Sequence, residues 1–385
     1  MKFFGNIFLG LVSTAVALVL SECLLRIIYN PIDFLEPTTA RHTHLPKIIV
    51  AHTGGHDAWG FRNQNVPKQA DIVCIGDSFT YGVGTSWLGS YPVQMANITQ
   101  KNVYNMGISG YGPLDYLYLL NQKALLLKPK TIVLGFYLGN DFYDAYTRAY
   151  SNPNYAHWQL PDSLHQPNIT LEKVDKINFP SQADHYLFYQ QRVWLAQNSV
   201  LYRWLGDGVV GGFVNNYRYS KGTLSNQKKW LTLQNDSIGK VEELIFQRAK
   251  DHATNLLTDP MYIEGKRLTF AAIDSIRQVC TRHKIELLVV CIPTKEWIYA
   301  PRVEKFGQEG EKIIFRKIVA YYSQMQSDYR AYFKQKNIHY LEIDLALRQK
   351  IEQTDEPINP PFDTHFNAKG YEVVASEVAK AIEKR

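Results

Sequence analysis

The sequence predicts a three-layer α/β/α fold: a doubly wound parallel sheet of five strands with helices on both faces. Three observations carry that expectation. Five short runs, at 72–75, 103–106, 131–138, 285–292 and 338–343, are mostly apolar, as strands covered on both faces are. Helix-period patterns fill the gaps at 91–99, 114–127, 268–283 and 309–336, and a last one spans 368–384. Glycine-containing turns follow the first strands, at the sheet edge where open α/β proteins bind ligands. Right-handed crossovers would join the strands. A chain of 385 residues, 45% hydrophobic and 20% charged, has enough apolar material for a sizeable core.

The elements follow in order. Residues 3–20 are mostly apolar, and no charge stands between Lys2 and Glu22, which is about the length a helix needs to cross a bilayer. The apolar pattern runs on through Leu24, Leu25, Ile27 and Ile28, and no A-x-A-type site precedes a polar start. An uncleaved anchor over 1–29 is therefore expected, rather than a signal peptide or a core helix. Glu22 occupies the place before Cys23 where lipoprotein processing needs a small residue. Lys2 and the amino terminus on one side, against Glu22 and Arg26 nearly cancelling on the other, put the N-terminus in the cytoplasm and the bulk outside. Residues 30–69 carry Pro31, Pro37, Pro46, Gly54, Gly55, Gly60 and Pro67 and read as a linker. The α/β domain is expected over 70–385. Its alternation breaks at about 144–265, a stretch too long for a simple crossover and rich in Tyr, Trp, Asn and Gln, with a helical fragment at 184–205. That insertion either caps the site or is purely structural.

Composition removes several functions. The net charge is +6, but Lys and Arg are scattered and form no stripe with aromatics, so nucleic-acid binding is not expected. Cys23, Cys74, Cys280 and Cys291 form no CxxC pair, and Cys74 and Cys291 lie in strand-like runs as buried thiols. His42, His44, His52 and His56 share no spacing with a carboxylate or thiol, so no metal site is expected. Aromatics make up 13%, which suits either a carbohydrate or lipid surface or packing under long loops.

Four motifs fall at the ends of these elements. Gly76-Asp77-Ser78 ends the first strand, where a serine at a strand-to-helix turn exposes its hydroxyl as a nucleophile must, with a helix N-terminus behind it. The stretch from Asn105 through Gly107 and Gly110 to Gly112 ends the second and can offer backbone N–H groups to an oxyanion. Leu138-Gly139-Asn140-Asp141 ends the third, and the Asn140 amide is a neutral donor of the same kind. Asp363-Thr364-His365 precedes the last helix, where a histidine can take the serine proton and an acid can orient it. Thr294-Lys295-Glu296 follows the fourth strand on the same edge and reads as a helix cap with surface charges, or as part of the pocket wall.

In this order the four motifs resemble the SGNH (GDSL-type) hydrolase family, over residues 70–145 and 268–383. Trp59-Gly60-Phe61-Arg62-Asn63 also looks like the leading segment of its membrane-anchored bacterial members. The resemblance implies the flavodoxin-like SGNH fold, Ser78 as nucleophile, His365 as general base and Asp363 as its orienting acid. It implies an oxyanion hole of the Ser78 N–H, the Gly110 N–H and the Asn140 amide, with Gly107 as the alternative glycine. Asp77 would brace the turn. No cofactor is implied. Two departures stand out. Leu138 takes the family's glycine place, with Gly139 beside Asn140 instead. The acid stands two residues before the histidine rather than three, where Phe362 is, and Asp355 or a backbone carbonyl is the alternative orienting group. The implied activity is hydrolysis of O-acyl esters, acetyl foremost, on a glycan outside the cytoplasm. The same residues would serve an O-acyltransferase acting on a cell-surface polysaccharide, and a non-catalytic anchored glycan-binding protein could keep the fold.

Overall fold

The computed structural model describes residues 2–160, 188–206, 231–235, 240–244, 259–307, 309–354, 356–360 and 363–384. The chain divides into two compact units. One comprises residues 1–40, 48–60 and 169–227, the other residues 41–47, 61–168 and 228–385.

In the first unit, helix α1 (Lys2–Ile28) runs unbroken for 27 residues. Its best 18-residue window has a mean hydropathy of 2.2, and it is apolar on every face, so it is long and apolar enough to cross a membrane. Glu22 interrupts the apolar stretch and is fully engaged. Its carboxylate accepts from Ser199 Oγ at 2.9 Å, Val200 N–H at 3.0 Å and Leu201 N–H at 2.9 Å. It thereby caps the short helix α8 (Val200–Arg203), satisfying backbone donors that a helix start leaves open. The unit also holds α2 (Pro31–Phe34), α7 (Tyr189–Asn198), and an antiparallel pair, β1 (Thr39–Ala40) with β2 (Ile48–Ile49). Of the helical fragment expected at 184–205, residues 184–187 lie outside the described residues. The rest forms α7 and α8, broken at Ser199.

The second unit is built on five parallel strands: β3 (Ile72–Gly76), β4 (Val103–Gly107), β5 (Thr131–Tyr137), β8 (Glu286–Ile292) and β9 (Tyr340–Glu342). Their order across the sheet is β4-β3-β5-β8-β9, which in sheet-strand sequence is 2-1-3-4-5. This is the flavodoxin-like arrangement, and its direction of winding reverses between β3 and β5. Every residue of β3 and β5 is buried, as continuous apolar runs demand. Strands β6 (Leu231–Asn235) and β7 (Lys240–Leu244) form a separate antiparallel pair.

The helices of this unit are α3 (Ser78–Tyr81), α4 (Tyr91–Thr99), α5 (Pro113–Gln122), α6 (Asp141–Ser151), α9 (Pro260–His283), α10 (Lys295–Phe306), α11 (Glu309–Gln335), α12 (Asp344–Thr354) and α13 (Ala368–Glu383). Several differ from the sequence expectation. The helix expected at 114–127 breaks at Lys123 into α5 and a 3-10 turn (Ala124–Leu127). Helix α9 starts at Pro260, eight residues before 268 and inside the stretch assigned to the insertion. Asp259 caps it by accepting from Met261 N–H at 2.9 Å, and Pro260 fills the first turn. Helix α6 extends to Ser151, also inside that stretch, and buries Phe142, Ala145, Tyr146 and Ala149. From this i, i+3, i+4, i+7 stripe, Ala145 and Ala149 pack with Leu114, Tyr155, Leu268 and Ala272 into one apolar cluster. The regular layer therefore takes in the two ends of the stretch that reads as insertion. Much of the aromatic excess is core: Tyr104, Tyr111, Tyr116, Tyr299, Tyr322, Tyr329 and Tyr371 are all fully buried.

Candidate active site

The site lies at the carboxyl ends of β3, β4 and β5, beside the reversal of winding. Strand β3 ends at Gly76, and Asp77 turns the chain out of the sheet with φ −89° and ψ −146°. The Asp77 carboxylate accepts from Phe79 N–H at 2.9 Å and caps α3. Gly82, with φ 89°, closes α3 from the other end through its N–H to the Ser78 carbonyl at 3.0 Å. Helix α3 is a single turn of four residues. The sequence suggested a helix N-terminus behind Ser78 as a source of positive potential. One turn aligns too few peptide dipoles for that, so individual N–H groups are what the turn supplies.

Helix α3 sits directly on the sheet because β4 ends in glycine. A Cβ on Gly107 would lie 2.5 Å from the Thr80 carbonyl carbon, 2.8 Å from Thr80 Cβ and in contact with Tyr81 N. Asn105 sets this strand end in place. Its N–H donates to Asn63 Oδ1 at 3.1 Å, its carbonyl accepts from Asn63 Nδ2 at 2.9 Å, and its own Oδ1 accepts from Gly107 N–H at 2.8 Å.

His365 arrives from the loop before α13. Its Nε2 is 2.8 Å from Ser78 Oγ, and its Nδ1 is 2.6 Å from Asp363 Oδ1. The same Asp363 oxygen accepts the His365 backbone N–H at 3.0 Å, an i, i+2 turn that an acid two residues upstream can make. Asn359 Nδ2 donates to the carbonyls of Thr364 and His365, each at 2.9 Å, and fixes the loop. The Phe79 ring lies 4.8 Å from the imidazole, and Tyr371 Oη donates to the Val83 carbonyl at 2.8 Å, tying α13 to the turn after Ser78.

Electrostatics separate the carboxylates. The hydrogen bond from His365 is the main reason that Asp363 titrates low, at about 2. Burial does the opposite to Asp77, which is pushed up to about 6 although Phe79 N–H and His365 favour its charge. Asp141, fully buried under the Tyr116 hydroxyl at 2.9 Å and Tyr137 N–H at 3.0 Å, is also pushed up by burial, with Asp77 and Asp144 adding to it. Asp363 thus stays ionised beside the imidazole at neutral pH.

The candidate oxyanion donors are placed unequally. Asn140 caps α6 from the end of β5. Its Oδ1 is buried with no hydrogen-bond partner among the described residues. Gly139 is glycine because the Tyr137 ring occupies the space a Cβ would need, with Tyr137 Cε1 and Oη 2.5 Å from that point. This explains the displaced glycine at 139. Gly110 is exposed, at φ 84°, with open space where a Cβ would stand. Gly107 is buried beneath α3 and acts there as a spacer. Asp355 and Phe362 lie outside the described residues.

Two residues, Arg62 and Asn63, hold the site that motif reading did not single out for chemistry. Arg62 is buried, and its guanidinium donates to the carbonyls of Gly82 at 2.8 Å, Thr85 at 3.1 Å and Tyr81 at 3.3 Å, closing the end of the turn that carries Ser78. Asn63 clamps Asn105 as described. Arg62 and Asn63 belong to the segment that resembled anchored relatives, and that resemblance was their only signal. Thr294 caps α10 as the sequence suggested. Lys295 and Glu296, which read as surface charges, are only 1% and 2% exposed. Among the described residues no three or more His, Cys, Asp or Glu side chains gather as metal ligands. His42 Nδ1 instead accepts from the N–H groups of His44 at 3.1 Å and Leu45 at 3.2 Å.

Fold and site together define an α/β protein of 2-1-3-4-5 strand order with a Ser–His–Asp hydrogen-bond chain at its switch point. No family model and no curated protein matches the chain. Among solved structures it is similar to a protein from Desulfitobacterium hafniense described as lipolytic and of the G-D-S-L family, with 12% identity over 80% of this chain and 97% of that one and a TM-score of 0.35. It is similar to a GDSL-like lipase from Bacteroides thetaiotaomicron, with 12% identity over 84% and 92% and a TM-score of 0.34. It is also similar to an acetylxylan esterase from Geobacillus stearothermophilus, with 11% identity over 82% and 95% and a TM-score of 0.36.

Proposed function

We propose that the chain is a membrane-anchored serine ester hydrolase of the SGNH type, acting on O-acyl, foremost O-acetyl, esters of a glycan outside the cytoplasm. The single observation that carries the reading is the continuous chain from Ser78 Oγ through His365, at 2.8 Å, to Asp363, at 2.6 Å. In this mechanism His365 Nε2 takes the Ser78 proton as Oγ attacks the ester carbonyl. The Ser78 N–H, the Gly110 N–H and the Asn140 amide receive the negative charge that develops on the carbonyl oxygen. The Asn140 side chain supports this, since it makes no capping hydrogen bond to α6. Collapse breaks the ester C–O bond, and His365 returns its proton to the leaving alcohol. Water, deprotonated by His365, then attacks the acyl-Ser78 carbonyl and releases the acid. Asp363 holds the imidazole tautomer with Nδ1–H and stabilises the imidazolium. Helix α1 holds the hydrolase domain, residues 70–385, at the outer face of a membrane, with residues 30–69 as the connection.

The test is release of p-nitrophenol from p-nitrophenyl acetate, together with covalent labelling by a fluorophosphonate. Ser78→Ala is expected to lower kcat by at least about 10⁴-fold and to abolish labelling, with unfolding behaviour unchanged. Undiminished activity in Ser78→Ala would refute the reading. Acetylated glycan oligomers added to the same assay separate hydrolysis from transfer: free acetate marks hydrolysis, and a newly acylated oligomer marks a sugar hydroxyl taking the place of water.

A further inference from the structure

Lys295 is a buried cation that the proposed mechanism does not use. It begins α10 just past the carboxyl end of β8, on the same edge of the sheet as the site. Burial pushes its ammonium down to about 8, against the pull of Glu296 and Asp363. An ammonium in such a place must find acceptors, because an unpaired buried charge costs several kcal/mol. Nζ donates to the backbone carbonyls of Pro360 and Asp363, each at 3.0 Å. Both belong to the loop that presents the acid, and the second is the carbonyl of the acid itself.

The need for such a tie is local. Asp363 reaches His365 across only two residues, and its side chain is 36% exposed, so neighbouring side chains do not enclose it. Asn359 holds the histidine end of the loop through the carbonyls of Thr364 and His365. Lys295 holds the acid end. Between them the two side chains bind carbonyls on either side of the Asp363 carboxylate, which leaves its orientation to its own side-chain torsions.

We propose that Lys295 is a positioning residue for the acid of the Ser78–His365–Asp363 chain, acting by fixing the Asp363 backbone. The inference rests on the esterase reading above. It differs from a general structural role because its whole effect on catalysis must pass through the Asp363 carboxylate.

The experiment is a double-mutant cycle on the full chain with p-nitrophenyl acetate, using Lys295→Met, Asp363→Ala and the pair. Lys295→Met keeps the length of the side chain without its donors. It is expected to lower kcat by about 10- to 100-fold, the scale of a 1 Å misplacement, with KM within about threefold. In the Asp363→Ala background the same substitution is expected to lower kcat by less than about twofold. An equal loss in both backgrounds, or an unchanged kcat in Lys295→Met, overturns the proposal. If Lys295→Met does not fold, Lys295→Gln, a neutral side chain whose amide ends one atom short of the place of Nζ and so loses the two 3.0 Å bonds, replaces it in the same cycle with the same criteria. Failure of the wild-type chain to hydrolyse the ester or label with fluorophosphonate strikes the esterase reading instead, so the two failures are distinguishable.

Discussion

Two glycines of the turn after β4 make opposite predictions. Gly107→Ala would place a Cβ 2.5 Å from the Thr80 carbonyl carbon, about 0.9 Å inside the 3.4 Å at which ordinary contact begins. The atoms it meets are backbone of the nucleophile turn and cannot rotate away. Either β4 or α3 must move by nearly an ångström, and α3 carries Ser78. A shift of that size costs a reacting group about 100-fold in rate, and overpacking a filled site costs about 1–3 kcal/mol of stability. Gly110→Ala meets open space, and its only cost is a φ of 84°, about 1–2 kcal/mol for a residue with a Cβ. The alanine keeps the backbone N–H, so a donor at position 110 survives. We therefore expect Gly107→Ala to lower kcat on p-nitrophenyl acetate by about 100-fold, and Gly110→Ala to stay within about tenfold of wild type. Urea unfolding should show both destabilised by a similar amount. Equal kcat for the two variants would refute the claim that Gly107 sets the height of the nucleophile turn above the sheet.

Three further outcomes follow from the same geometry. Asn140→Ala should lower kcat by about 10²- to 10³-fold with little change in KM, the cost of losing one oxyanion donor. Because Asp363 is held at about 2, below its unfolded value, its contribution to stability is present above roughly pH 4 and lost as pH falls towards 2. The stability advantage of wild type over Asp363→Asn, followed by urea unfolding, should shrink over that range. Asp77 has the opposite sign. Its folded value is raised to about 6, so its contribution is complete below roughly pH 4 and lost as pH rises through 6. Asp77→Asn keeps an acceptor for Phe79 N–H without the buried charge, and should gain stability over wild type between pH 4 and pH 7 in the same measurement.

The parts of the fold and site that can be read from the sequence are those where a residue type is confined to one place. Continuous apolar runs locate β3, β5 and β8, because a strand covered on both faces has little room for polar residues, and shorter mixed runs locate β4 and the half-buried edge strand β9. The pairing of Ser78 with His365 is legible because each follows a strand or precedes a helix in an order that chance motifs do not keep. What escapes depends on distant contacts. Lys295 lies in Thr294-Lys295-Glu296, a segment with the look of an exposed helix start, and its burial depends on distant acceptors such as the carbonyls of Pro360 and Asp363. Helix α6 carries a regular stripe, but its members include Ala145, Ala149 and Tyr146, small or amphipathic residues whose burial is set by α9. The length of α3 depends on Gly82, whose left-handed conformation ends the helix after one turn. The excess of aromatics supports two readings until the core is visible, and packing absorbs much of it.

The serine and the histidine are 287 residues apart, and the histidine loop is fastened to the nucleophile turn by contacts equally distant in the chain. Tyr371 reaches Val83, and Gln94 Nε2 donates to the Ala368 carbonyl at 3.1 Å. Chains made from the N-terminus expose the serine long before its base exists. On the proposed reading, an emerging chain carries Ser78 without its base until the loop of His365 folds against it. A cut between residues 78 and 365 that let the C-terminal piece leave would, on the same reading, take His365 from Ser78 and silence the site with Ser78 intact, so labelling of the serine would double as a readout of whether the two ends of the domain have found each other.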